Sequence, residues 1–185
     1  MNKLFFALIV MSTSVILIGC KSDKVKPHDE QEIPSMEIRV QPFFNEEIVF
    51  ADSVYTTVEG YDVKFTELKF FFTGIQNNGV LLADAALYDW SNKGSLMLSV
   101  AGKNADFSSL SGNLGVGATE NHADPTVLPN EHPLHISNAG DMHWDWNPGY
   151  IFIKVEARVD TIPNGIPLFD HTVFFHVGKD ENMQT

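Results

Sequence analysis

Residues 151–160, Ile-Phe-Ile-Lys-Val-Glu-Ala-Arg-Val-Asp, alternate so regularly that they admit one local structure. Ile151, Ile153, Val155, Ala157 and Val159 fall on one face and Lys154, Glu156 and Arg158 on the other, the period of a half-buried antiparallel strand with a solvated side. His171–Val177 repeats the pattern, with Val173, Phe175 and Val177 beside His171 on one face and Phe174 and His176 on the other. Further strands are expected at Met36–Val40, Phe43–Phe50, Val63–Ile75, Leu82–Trp90 and Ser95–Val100, where β-branched and aromatic residues concentrate. Asn77-Asn78-Gly79 and Asn92-Lys93-Gly94 supply hairpin turns. Asn104–Leu110 reads as one helical turn capped by Asn104, and Gly112, Gly115 and Gly117 as a loop after it. Those glycines lack the Lys-Ser/Thr of a phosphate cradle. No segment holds a helical period and none repeats. The pattern predicts an all-β chain, an antiparallel β-sandwich with one long loop rich in His and Trp.

That loop, Asn121–Tyr150, holds four of the seven histidines (His122, His132, His135 and His143) and two of the three tryptophans, Trp144 and Trp146. Imidazole is the commonest nitrogen ligand of transition metals, and copper binds a given N/O/S site most tightly among the divalent ions. A metal site is the chemical reading; a solvated polar loop is the plain one. His132 and His135, beside Pro129 and Pro133, fit the solvated loop. Met142 reads as core filler. Asp141 and Asp145 match no twelve-residue calcium loop. Indole nitrogen has no available lone pair, so Trp144 and Trp146 read first as packing residues.

The amino terminus reads as a signal peptide over residues 1–19: Lys3, an apolar run, then Leu17-Ile18-Gly19-Cys20. Cys20 is the one cysteine, placed as in a bacterial lipobox, and is expected to be acylated, anchoring the chain without spanning the membrane. A single cysteine excludes a disulfide framework and thiolate clusters. Residues 20–35, charged and bearing Pro27 and Pro34, read as lipid-bearing cysteine plus tether, with His28 solvated. Residues 36–185 are expected to form one domain. The net charge of −12, which becomes more negative when Lys3 leaves with the leader, argues against nucleic acid and suits a solubilising or cation-binding surface. The absence of an acidic residue after Cys20 favours the outer membrane, facing the periplasm.

Three stretches together carry a resemblance: Asn121-His-Ala-Asp-Pro125, then Met142-His-Trp-Asp-Trp-Asn-Pro-Gly-Tyr150 leading into a strand, then Phe175-His-Val-Gly178. With the Phe-rich run 65–75, they resemble the MbnP-like family of periplasmic copper-binding proteins. In the characterised members a dihaem cytochrome c peroxidase-like partner oxidises a tryptophan to kynurenine, and copper is held by histidine and that modified residue. The resemblance implies His122, His176 and one of Trp144 or Trp146 as ligands here. Opening the indole creates an aryl amine and a ketone able to coordinate. His143 departs from the family pattern and is an additional candidate, and Ala157 stands where the family usually has glycine. Relatives commonly run on past the point, soon after His176, where this chain stops at Thr185, and a missing last strand would leave an open sheet edge.

Two function classes follow: a non-catalytic, lipid-anchored copper binder for acquisition or storage, and a metal-free structural or recognition lipoprotein. No Ser-His-Asp arrangement or carboxylate pair marks an enzyme. A shared metal also requires His122 and His176, far apart in sequence, to approach each other.

Overall fold

The computed structural model describes residues 35–102, 106–144, 149–162, 164–166 and 168–185. The leader, Cys20, nearly all of the tether, Asn104, Asp145 and Trp146 lie outside the described residues. The strands are β1 (Ser35–Arg39), β2 (Phe43–Phe44), β3 (Glu47–Ile48), β4 (Tyr55–Thr56), β5 (Asp62–Asn77), β6 (Val80–Asp89), β7 (Leu96–Ala101), β8 (Leu110–Leu114), β9 (Ile151–Asp160) and β10 (His171–Gly178). All their pairings are antiparallel. Single helical turns occur at α1 (Trp90–Lys93), α2 (Ala118–Asn121) and α3 (Ile136–Ala139). The fold is all-β and sandwich-like, as the alternation implies.

The 16-residue β5 is the spine. Its first half pairs with β9, while its second half pairs with β6 along one edge and β8 along the other. Lys69 and Phe70 touch both β6 and β9, so β8 and β9 succeed one another on the same edge. Both faces of this ribbon are covered, which is why its sequence is densely aromatic rather than alternating. Phe71, Leu87, Val116, Leu134, Met142, Tyr150 and Phe152 form the main core, beneath the long loop. On the other face Ile75, Ala86 and Tyr88 meet Met97 and Leu98 of β7, Ile38 of β1 and Val40 just after it. Gly74, at φ +57°, breaks the alternation. Phe71 before it faces the main core, whereas Ile75 after it joins the second cluster.

Several expectations are corrected. Phe43–Phe50 is not one strand but the hairpin β2–β3, turned by Asn45 and Glu46, both at positive φ (47° and 68°), as a tight two-residue turn requires. Gly112 and Leu110 lie in β8, where a Cβ on Gly112 would sit 2.9 Å from the Phe72 ring. Lys154 and Glu156 do not face solvent: Lys154 is 6% exposed, because the loop folds over that face of β9 and brings Asp141 with it. β10 ends the order β10-β9-β5-β4, and Val173, Phe174 and Phe175 on it are exposed.

Candidate metal centre

Trp144 follows His143 in extended backbone and is tied down by its N–H donating to Gly149 O at 3.1 Å. Successive side chains of extended chain point to opposite sides. His143, bridged to Tyr150, places its ring edge-on to that tyrosine, with centroids 5.0 Å apart. Trp144 turns the other way, and its six-membered ring covers Gly178 at the end of β10. A Cβ at Gly178 would lie 2.6 Å from Trp144 Cζ3 and 2.7 Å from Tyr150 O, so only glycine admits the indole.

Two adjoining hollows open beside Trp144. One, about 240 Å³, is lined by Asn121, His122, Gly149 and Asp180; the other, about 380 Å³, by His176, Val177, Gly178 and Asn182. Trp144, Lys179 and Glu181 line both. The fold thus brings His122 and His176 to the surroundings of one indole although they are distant in sequence. His143 lines neither hollow, and Met142 is wholly buried in the main core.

Each of these two histidines meets a carboxylate. His122 Nε2 lies 2.9 Å from Asp180 Oδ2, and His176 Nε2 lies 2.9 Å from Glu156 Oε1. Asn121, buried at the end of α2, orients the first pair: its Nδ2 donates to Asp180 Oδ1 at 2.8 Å while its Oδ1 accepts from Tyr150 N at 2.8 Å. The Asn121 bond, with help from His122, holds the Asp180 carboxyl below its ordinary range. Lys179, at φ +73°, turns the chain from β10 into the 3-10 turn Asp180–Asn182 that presents Asp180. Gln184 then pairs with Leu114 of β8, pinning the carboxy-terminal segment.

The second pair is set in a charged row across the sheet. Asp89 of β6, Lys69 of β5, Lys154 of β9 and His176 of β10 are successive register partners, and Glu67 lies opposite Glu156. Like charges directly opposite are unfavourable. Asp141 from the loop compensates by pairing with both Lys154 Nζ (2.5 Å) and Lys69 Nζ (3.0 Å), while Lys154 also reaches Glu67 (2.7 Å) and Glu156 (3.2 Å). Burial alone lowers a lysine pKa, but bonds from Asp141, Glu67 and Glu156 outweigh it and push Lys154 up. Burial likewise works to raise Asp141, and the bonds from Lys154 and Lys69 hold it below its ordinary range.

The remaining candidates serve the loop. Asp124 Oδ1 accepts from Thr126 N at 2.9 Å and caps the turn Pro125–Val127; His132 and His135 accept through Nδ1 from Leu134 N and Ser137 N. His132 lines a separate hollow of about 440 Å³ with Asp84, Glu120 and Asp124, away from the residues around Trp144. Among the described residues no three His, Cys, Asp or Glu side chains converge as a metal-ligand group.

A family model described as MbnP matches residues 34–185. The chain belongs to the MbnP family. The family is associated with copper-related function. Among solved structures, MbnP from Methylosinus trichosporium is similar, with 18% identity and a TM-score of 0.48, covering 78% of this chain. The chain spans 63% of the length of that MbnP. No curated protein matches. Within the MbnP motif, sequence reasoning singled out His122 but missed Asn121, whose place directly before it was the available signal. Gly178 closes the Phe175-His-Val-Gly178 stretch and carried the same kind of signal, whereas Asp180 carried none, because its role exists only through contacts with Asn121 and His122.

Proposed function

We propose that this MbnP-family chain is a non-catalytic copper binder of the cell envelope, holding the ion beside Trp144 through His122 and His176. The observation that carries the reading is the seating of the Trp144 ring on Gly178 between the two histidine-lined hollows. The donor chemistry fits: two imidazoles are suitable for copper, yet two hold it weakly against chelators, so a third donor is required. Intact indole cannot supply it. Oxidation of Trp144 to kynurenine would, through its aryl amine or ketone, and a dihaem peroxidase-like enzyme is the partner expected to carry it out. Trp146 is the alternative site of oxidation and His143 an alternative third ligand. The place of His143 against Tyr150 supports Trp144 over it. Acylation at Cys20 would keep the protein at the outer membrane facing the periplasm, for copper acquisition or storage.

Metal analysis with intact mass of protein from its native envelope tests this. Copper together with replacement of one carbon by one oxygen at Trp144 is expected. In copper titrations the unmodified chain should bind weakly and lose binding in His122→Ala and His176→Ala. Tight stoichiometric binding that survives both substitutions refutes the assignment, and loss with His143→Ala alone moves the site. The second reading, a metal-free recognition lipoprotein, draws on the exposed Val173, Phe174 and Phe175 of β10; absence of both copper and modification would select it.

A further inference from the structure

We propose that Asp180 and Glu156 are positioning residues which hold both histidines as the Nε2–H tautomer, so that copper is bound through Nδ1 of His122 and Nδ1 of His176. This rests on the copper reading above. A carboxylate can only accept, so an imidazole nitrogen 2.9 Å from one must donate. Neutral imidazole carries one N–H; with it on Nε2, the lone pair available to a metal is on Nδ1. The same geometry occurs at two histidines that come from unrelated stretches, one after α2 and one on β10.

Both carboxylates are themselves anchored. Asn121, 3% exposed, grips Asp180, and Lys154, 6% exposed, lies 3.2 Å from Glu156. The anchors tie back to the segment that carries the indole: Asn121 accepts from Tyr150 N, and Lys154 is held by Asp141, three residues before Trp144. A carboxylate on the far nitrogen orients the ring and raises the basicity of the ligating nitrogen, and losing such a partner typically weakens metal binding about 10–100-fold.

The tautomers are read without metal by long-range ¹H–¹⁵N correlation spectra of the full chain, at a pH above the imidazole range. Nε2–H at both His122 and His176 is expected; Nδ1–H at either overturns the inference. Copper(II) titrations of modified protein then compare Asp180→Asn and Glu156→Gln with His122→Ala and His176→Ala. Each carboxylate substitution should lower affinity about tenfold or more. Wild-type affinity in both carboxylate variants, with affinity lost in both histidine variants, overturns the positioning role and leaves the copper reading standing. Affinity kept in the histidine variants refutes the copper reading itself and this inference with it. Because the tautomer measurement uses the unsubstituted chain, a variant that fails to fold does not shield the proposal.

Discussion

Lys154→Met isolates the charged row, because methionine keeps much of the side-chain length and removes the cation. Nζ of Lys154 is 2.5 Å from Asp141, 2.7 Å from Glu67 and 3.2 Å from Glu156, so the substitution leaves three carboxylates facing one another. Removing one partner of a buried ion pair costs about 3–5 kcal/mol. Two features reduce that here: Lys69 still pairs with Asp141 at 3.0 Å and Glu67 at 3.4 Å, and the Asp141 side chain is half exposed to screening water. A loss of roughly 2–4 kcal/mol is expected at pH 7, or about 5–15 °C in Tm for a domain of this size. The sign with pH is set by the carboxylates. In the native chain the Asp141 pKa is lowered, so its stabilisation is present above the unfolded value and is lost as pH falls through the lowered one. In Lys154→Met the carboxylates face one another with less positive charge between them, so lowering the pH relieves their repulsion and the deficit shrinks toward pH 5. Urea unfolding of both proteins at pH 5 and pH 7 measures it. Equal stability at pH 7, or a deficit independent of pH, would refute the electrostatic account.

Gly178→Ala should destabilise by about 1–3 kcal/mol through overpacking and shift tryptophan fluorescence, since the new methyl meets Trp144 and Tyr150 O; unchanged melting and emission would contradict the packing. Tyr88 is wholly buried and its hydroxyl has no hydrogen-bond partner among the described residues, so Tyr88→Phe should be neutral or stabilise by up to about 1 kcal/mol in denaturant unfolding. Burial pushes Tyr150 up to about 12 from 10.0. A raised folded pKa means stability that is full below pH 10 and lost as pH climbs toward 12, on the order of 3 kcal/mol. Tyr150→Phe should flatten that alkaline loss, and an equally steep loss in the variant would rule out this group as its source. Cys20→Ala expressed with its leader should leave membranes for the soluble fraction, which fractionation and blotting would show; continued membrane partition would sink the lipid anchor.

The residues that local chemistry alone governs were legible in the chain. Period-two alternation over 151–160 and 171–177 made strands of those segments, because a sheet with a buried face leaves no other register. The motif around His122, Trp144 and His176 pointed to the MbnP family before any distance was known. What the tertiary structure decided depends on residues distant in sequence. Glycine at φ +57° in β5 switched which core the following side chains enter, and no alternation count foresees that. Lys154 reads as a solvent-facing residue until Asp141 of the loop is laid over β9. Asp180 is an ordinary polar residue near the carboxy terminus until Asn121 and His122 meet it. A strand's period names the face on which a side chain emerges, but whether that face meets water, a core or a carboxylate is set by the element packed against it.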